Sequence, residues 1–225
     1  MTIRINSIPV FKKELDTPRI IFLFLTVLTI DQALKIYIKL HFPLTLYGTD
    51  AIVDRGFFKL MFVENNGMAM GTKISDFLPF LSEHQGKFLL TFFRLIAISA
   101  LGYWLNQIVK TPSPKGLRLG LTLIFAGAVG NLIDSIFYGQ LFSHSYKQIA
   151  EFLPAEGGYA PLFFGHVVDM FQFPLVRWVW PEWVPFVGGQ PYLFFQYIFN
   201  VADASISIGV GILLWFNKPI FSKPA

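Results

Sequence analysis

Four long apolar stretches constrain this chain of 225 residues more than any other feature of its sequence. A helix needs about 20 mostly apolar residues to cross about 30 Å of hydrocarbon. The stretches cover about residues 19–40, 87–108, 117–138 and 192–216. Only 14% of the residues are charged and 54% are hydrophobic, which is unlike an ordinary soluble domain. The sequence therefore predicts an all-α membrane protein with four transmembrane helices.

Lysine and arginine are distributed unevenly between the two sides of these helices. The two longer segments, about 41–86 and 139–191, hold only five of them. The termini and the short link between the second and third stretches hold nine, which are Arg4, Lys12, Lys13, Arg19, Lys110, Lys115, Arg118, Lys218 and Lys223. Because positive charge stays on the cytoplasmic side, both termini are predicted to be cytoplasmic and both long segments periplasmic.

The periplasmic segments differ in their predicted structure. Residues 44–72 alternate weakly and contain four glycines, which predicts a small β-rich segment. The segment between the third and fourth spans is predicted to include a long periplasmic insertion. With no internal repeat visible, residues 1–225 are interpreted as a single membrane-embedded domain.

Several chemistries are excluded by residue type. The chain has no cysteine, and the motifs of zinc proteases and serine hydrolases are missing. Its four histidines are scattered, and His166 is expected at the surface or the membrane interface rather than as a metal ligand. A net charge of +4, spread along the chain, does not indicate nucleic-acid binding. We therefore predict neither a metal nor a cofactor.

Four aspartates lie within or beside the predicted spans, where an ionised group costs at least about 2.5 kcal/mol. Asp31 is in the first span and Asp134 about one turn inside the third. Asp203 is expected two to three turns inside the fourth, and Asp169 precedes that span. All four belong to the outer half of the membrane, so a shared site is predicted there.

Polar partners accompany these aspartates at helical spacing. Asp31 and Lys35 are four residues apart and can pair on one face, either to fix packing or to act directly. Asn131 precedes Asp134 by three residues, which favours interhelical hydrogen bonding or a helix cap over catalysis. Asn200 and Asp203 repeat that spacing, and an unpaired carboxylate in mid-helix has little use in packing.

Two carboxylates held close together titrate as a unit, with one of them keeping a proton. The ionised member can take a proton from water while the protonated member polarises a scissile carbonyl. The aspartates therefore indicate aspartic-protease chemistry.

Five short motifs, in this order along nearly the whole chain, resemble those of the lipoprotein signal peptidases, or signal peptidase II. Residues 31–35 read Asp-Gln-Ala-Leu-Lys, and residues 64–71 read Glu-Asn-Asn-Gly-Met-Ala-Met-Gly. Residues 127–134 read Gly-Ala-Val-Gly-Asn-Leu-Ile-Asp. Val-Val-Asp at 167–169 and Phe-Asn-Val-Ala-Asp at 199–203 complete the set.

The resemblance implies an aspartyl endopeptidase of the bacterial inner membrane. It would remove the signal peptide from diacylglyceryl-modified prolipoproteins, cutting before the lipidated cysteine near the periplasmic face. Asp169 and Asp203 would form the catalytic dyad. The other implied site residues are Asn131 and Asn200, which would orient the dyad, Asn65, which would contact substrate, and Asp31, Lys35, Gly67 and Asp134, which would support the scaffold.

Two departures separate this chain from the family pattern. Ser135 stands where the family usually has an arginine that contacts substrate, and 35 positions separate Asp134 from Asp169, which implies an insertion of about 139–164. Arg94, about two turns inside the second span, is a candidate for part of the missing charge. The alternative is that its side chain snorkels outward along the lipid.

Two other functions account for part of this pattern. A small proton- or ion-coupled carrier would use buried carboxylates but predicts internal symmetry and paired broken helices, which this sequence lacks. A structural assembly factor would account for the spans and for Asp31 with Lys35, but leaves Asp169 and Asp203 without a task. The expected partners are prolipoproteins and membrane lipids, and the protein is expected to be a monomer.

Overall fold

The computed structural model describes residues 16–45, 50–66, 77–78 and 80–215. Three of its helical stretches are long and apolar enough to cross a membrane. They are α1 (Thr17–His41), α2 (Glu83–Lys110) and Lys115–Leu141, in which α3 (Lys115–Ile133) continues through a π-helix (Asp134–Tyr138) into α4 (Gly139–Leu141). The first three predicted spans are thus confirmed as helices, each extended by a few residues at its ends.

The helices begin where local chemistry favours it. Ser82 and Gln85 form a capping box at the start of α2, each side chain accepting a hydrogen bond from the other's backbone N–H. Pro18 lies at the first turn of α1, where its missing N–H costs nothing, and Pro114 precedes α3.

The fourth helix is shorter than predicted. The expected span of 192–216 is wrong at its start, because α5 runs over Val201–Trp215 and Pro191–Phe194 forms a strand instead. Asn200 provides the reason for the start, since its side chain and that of Asp203 accept hydrogen bonds from each other's backbone N–H. Asp203 therefore lies in the first turn of α5, not two to three turns inside a helix.

A three-stranded antiparallel sheet covers one end of the helices, with the order β1 (Val53–Asp54), β2 (Lys59–Asn65) and β3 (Val167–Gln172). The predicted β-rich segment at 44–72 is confirmed by β1 and β2. The third strand follows the predicted insertion along the chain. The sequence did not predict that this strand joins β2 in one sheet. A separate hairpin pairs β4 (Val176–Val179) with β5 (Pro191–Phe194), so the all-α assignment holds only as a mostly helical fold.

Helix α3 is the centre of the bundle and packs against α1, α2 and α5. Its contact with α5 depends on glycine. A Cβ on Gly127 would lie 2.2 Å from the carbonyl oxygen of Ala202, and one on Gly209 would lie 2.6 Å from that of Gly120. The two backbones therefore approach as closely as small residues allow, a usual way of packing helices in membranes.

The main hydrophobic core lies between α1, the sheet and the segment that follows the π-helix. It contains Ile38, Phe62, Tyr138, Phe142, Ala150, Val168 and Met170. The outer faces of the helices, in contrast, expose large apolar side chains such as Phe22, Phe93 and Leu214. This distribution is typical of helices surrounded by lipid.

Candidate active site

Asp169 and Asp203 reach one site from different elements. Asp169 is on β3 and 4% exposed, and Asp203 is in the first turn of α5 and partly exposed. Burial raises the pKa of Asp169 to about 7, and the nearby negative charge of Asp203 adds to this increase. The two carboxylates therefore interact electrostatically, as the sequence predicts for a shared site.

Asn200 connects the two aspartates and is completely buried. Its Nδ2 donates to Oδ1 of Asp169 at 2.8 Å, and its Oδ1 accepts from the backbone N–H of Asp203 at 2.9 Å. Because the N-cap of α5 and the contact to β3 are made by one side chain, the position of Asp203 is coupled to that of Asp169.

Two further amides complete the surroundings of the aspartates. Nδ2 of Asn131 donates to Oδ1 of Asp203 at 2.8 Å, and Nδ2 of Asn65 donates to Oδ2 of Asp169 at 3.3 Å. Asn131 and Asn200 also contact each other. The structure thus brings together all three asparagines named from the sequence. Gly67 lies outside the described residues.

Lys35 forms a second cluster, directly behind the first. Its Nζ lies 2.8 Å from carboxylate oxygens of both Asp31 and Asp134, and it donates to Oδ1 of Asn131 at 2.9 Å. Lys35 and both aspartates are at most 1% exposed. The predicted pair of Asp31 with Lys35 is present, and Asp134 belongs to it as well.

The Lys35 cluster holds both elements that carry the candidate dyad. Oδ1 of Asp31 accepts from the backbone N–H of Ala202 at 2.9 Å, at the start of α5. Oδ2 of Asp134 accepts from the backbone N–H of Val168 at 3.3 Å, next to Asp169 on β3. Asp31 and Asp134 are therefore committed to a cation and to backbone donors, which suits a supporting role.

Arg94 turns toward the helical bundle. Its guanidinium donates to Oγ of Ser135 at 3.4 Å, and that hydroxyl donates to the carbonyl of Asn131. The charge of Arg94 also interacts with Asp203 and Asp169. Arg94 thus contacts Ser135, the residue that stands where the family usually has an arginine. In this orientation its side chain does not extend outward along the lipid, which was the alternative.

Sequence reasoning missed several polar residues around the site. Gln32 donates to Asp134 at 3.0 Å and accepts from the Tyr138 hydroxyl, a link that its place beside Asp31 could have indicated. Lys39, one helical turn after Lys35, is also fully buried and pairs with Glu64. His166 is not simply a surface residue, since its Nδ1 lies 3.2 Å from Glu64.

Among the described residues, no group of three or more histidines, cysteines and carboxylates could hold a metal ion. The acidic side chains of the site are instead surrounded by amides, Lys35 and Arg94. Such an arrangement can keep one carboxylate protonated beside an ionised one.

Comparison with known proteins gives one consistent result. Residues 23–217 match the family model for signal peptidase (SPase) II. The chain is 42% identical over 193 residues to a lipoprotein signal peptidase of Porphyromonas gingivalis, a match covering 85% of this chain and 79% of that protein. It is 32% identical over 201 residues to one of Amoebophilus asiaticus, covering 89% and 78%.

Among solved structures, a bacterial membrane enzyme matches with a TM-score of 0.56 at 23% identity. The match covers 92% of this chain and 93% of that one, so the two proteins share a fold.

Proposed function

Because the chain belongs to the signal peptidase II family, it is a membrane protease that removes signal peptides from lipoproteins, and we propose that it does so with an aspartic dyad of Asp169 and Asp203. The observation that carries this proposal is Asn200, which contacts Asp169 and Asp203 with the two ends of one amide. The carrier alternative finds no support in the peptidases that the chain resembles.

The environments of the two carboxylates assign a role to each. Asp169 has a pKa of about 7, raised first by burial and then by the charge of Asp203, so it holds a proton near neutral pH. Asp203 accepts hydrogen bonds from the Asn131 amide and from the backbone N–H of Asn200, and it is partly exposed, so it can meet the attacking water. Asp203 is thus the base and Asp169 the acid.

In the proposed reaction Asp203 removes a proton from water, and the water oxygen attacks the scissile carbonyl carbon. Asp169 gives its proton to the carbonyl oxygen, which produces a tetrahedral diol. When the diol collapses, Asp203 returns its proton to the leaving nitrogen as the C–N bond breaks, and Asp169 recovers a proton from the hydroxyl. Both carboxylates end as they began.

The proposed substrate is a diacylglyceryl-modified prolipoprotein that is cut just before its lipidated cysteine. Support comes from the placement of the site, with Asp203 in the first turn of α5 and Asp169 on the sheet at the end of the helices. A lipid can remain in the bilayer while the adjacent peptide bond meets water there. Together with the lysine and arginine distribution, this favours cytoplasmic termini and a site at the periplasmic face of the inner membrane.

We also propose that the chain is a single peptidase domain and that it acts as a monomer. The reason is that one chain supplies both aspartates and all three asparagine amides of the site. Asn65 would contact the substrate backbone beside Asp169. Arg94, which contacts Ser135, would supply positive charge to the substrate carbonyl in place of the family arginine. Its planar fork suits such a contact better than a lysine would.

The test uses the purified protein and a diacylglyceryl-modified prolipoprotein, with the released signal peptide detected by mass. We expect Asp169→Asn and Asp203→Asn each to lower turnover by at least about 10³-fold, since asparagine cannot exchange the proton. Asp54→Asn, an exposed carboxylate on β1, is the matched control and keeps wild-type turnover. Substantial cleavage by either dyad variant contradicts the assignment.

Two additions to the same assay test the remaining parts of the proposal. The unlipidated prolipoprotein should not be cut, and exhaustive EDTA treatment should leave the rate unchanged. Loss of activity in EDTA that zinc restores would require metal chemistry instead.

A further inference from the structure

Besides the Lys35 cluster, the protein contains another buried charge cluster, which the proposed mechanism does not use. It is named the Lys39 cluster and consists of Lys39, Glu64, Ser145 and His166. The side chains of Lys39 and Ser145 are fully buried, and that of Glu64 is 8% exposed. Lys39 contacts the Glu64 carboxylate and donates to Oγ of Ser145 at 2.9 Å, and that hydroxyl donates to Glu64 at 2.9 Å. Nδ1 of His166 lies 3.2 Å from the other carboxylate oxygen. Both oxygens of Glu64 are therefore engaged.

Aromatic rings enclose the cation of this cluster. Nζ of Lys39 lies 5.0 Å from the ring centre of Tyr159, 5.4 Å from that of Phe142 and 5.7 Å from that of Phe62. Burial alone would raise the pKa of Glu64, but the His166 hydrogen bond and the Lys39 charge lower it to about 2. The carboxylate therefore stays ionised, with little freedom to move.

Glu64 lies where the two strands of the active site meet. It directly precedes Asn65 on β2, and Asn65 donates to Asp169. Glu64 pairs in register with Val168, the neighbour of Asp169 on β3, while His166 immediately precedes that strand. A bond from Glu64 to His166 thus ties β2 to β3 beside the contact between Asn65 and Asp169.

The segment 142–166, here named the inserted segment because it contains most of the predicted insertion, supplies Ser145, Tyr159 and His166, and it is itself fixed against the π-helix. The backbone N–H of Gly165 donates to the carbonyl of Ser135 at 2.9 Å. A Cβ on Gly165 would lie 2.0 Å from the carbonyl oxygen of Asp134, so only glycine fits there. The Tyr159 hydroxyl accepts from the backbone N–H of His166 at 2.6 Å. The inserted segment therefore presents its polar side chains to Glu64 from a fixed position.

We propose that Glu64 is a positioning residue for peptide cleavage, which holds Asn65 in the orientation that lets its amide contact Asp169. Lys39, Ser145 and His166 fix the carboxylate, and β2 transmits its position to the next residue. Part of the inserted segment thereby belongs to the catalytic apparatus, although it contributes no group to the dyad. This inference rests on the proposed aspartic dyad.

The first test is Glu64→Gln in the prolipoprotein cleavage assay, with kcat expressed per folded enzyme. The amide keeps the shape but loses the charge, so Asn65 is no longer held in place. We expect kcat to fall about 10- to 100-fold with KM nearly unchanged, which is the range for a misplaced catalytic group. Glu151→Gln, an exposed glutamate in the same inserted segment, is the matched control and keeps wild-type kcat.

Two His166 variants test the same inference while Glu64 keeps its negative charge. They are a sufficient test by themselves if Glu64→Gln does not fold. His166→Ala removes the bond to Glu64, and we expect a lower kcat. His166→Asn can again donate to Glu64 and should recover most of it, which a loss of general packing would not predict. Wild-type kcat in Glu64→Gln, or equal kcat in the two His166 variants, would overturn the inference.

The outcome is separable from that of the proposed dyad. If Asp169→Asn still cleaves, the dyad itself is wrong. If Asp169→Asn is inactive while Glu64→Gln cleaves at the wild-type rate, only the positioning role of Glu64 fails.

Discussion

The protein contains two pairs of acidic residues that differ in their surroundings. Asp31 and Asp134 share the Nζ of Lys35, each at 2.8 Å, in a fully buried cluster. Asp169 and Asp203 receive hydrogen bonds from amides, and the ion pairs formed among the described residues do not include them. The first pair thus has a positive charge at its centre, whereas the hydrogen-bond donors around the second pair are neutral amides. The comparison indicates that Asp31 and Asp134 support the fold, whereas Asp169 and Asp203 form the proposed catalytic pair.

The largest expected effect breaks the supporting pair. Lys35→Met leaves Asp31 and Asp134 buried together without their cation, and removing one partner of a buried ion pair costs about 3–5 kcal/mol. We expect a large loss of folded protein in detergent and a lower thermal midpoint. Lys59→Met, which breaks the more exposed pair with Asp54, is the control and should change the thermal midpoint little, because exposed ion pairs contribute little to stability. Similar losses in the two variants would show that the Lys35 cluster gives no special support.

A smaller effect, of opposite sign, is expected from the dyad. The pKa of Asp169 is about 7 in the folded protein against an ordinary value of 3.8, so the folded state binds its proton more tightly than the unfolded state does. The stability of the wild type therefore falls as the pH rises from about 4 to about 7. Asp169→Asn removes this dependence, so the variant does not share the loss of stability at pH 8.

The measurement is the thermal midpoint of wild type and Asp169→Asn at pH 5 and pH 8. The variant should gain relative to the wild type at the higher pH, even though it is inactive. Asp54→Asn removes an exposed carboxylate whose pKa is lowered by Lys59, so it should not gain at pH 8. An unchanged difference between wild type and Asp169→Asn across this range would contradict the raised pKa.

The smallest effect is expected from Arg94 variants, which change the charge near Asp169 and Asp203. The charged groups that act on Asp169 are Asp203, Lys35 and Arg94. Cleavage should decline above a pH of about 7 as Asp169 loses its proton, and Arg94→Gln should move this decline to higher pH because a positive charge favours the ionised form. Turnover should also fall severalfold.

Arg94→Lys keeps the charge, so it should leave the pH of the decline in place while still reducing turnover. Ser135→Arg in the Arg94→Gln background should restore part of the activity. Arg177→Gln, on the separate hairpin, is the control. Wild-type rates and an unchanged pH profile in Arg94→Gln would leave Arg94 without a role in cleavage.

Much of the supporting cluster could be predicted from the sequence, because its main contact is local. Asp31 and Lys35 are four residues apart on one helix, and that spacing alone places them on one face. The start of α5 was predictable in principle from the same kind of signal, since Asn200 and Asp203 have the spacing of a helix cap. The sequence before Asn200 concealed it, because residues 191–199 are mostly aromatic and aliphatic and continue the apolar stretch of the helix backwards.

The Lys39 cluster could not be predicted in this way. Lys39 lies one turn after Lys35, but its partners Glu64 and Ser145 are 25 and 106 residues away along the chain. Helical spacing gives the face on which a side chain lies, and it does not give the element that packs against that face. The role of His166 depended on the same missing information.

The sequence by itself determined the apolar helices, the local pair of Asp31 with Lys35 and the order of motifs that identifies the family. Periodicity and composition are sufficient for these features, because they arise within one segment. Only the tertiary structure decided that Asp134 joins Lys35, that Asn200 connects Asp169 to Asp203 and that the inserted segment reaches Glu64. Those contacts form between distant elements, where glycine on α3 and α5 allows close approach and burial makes each polar group find a partner.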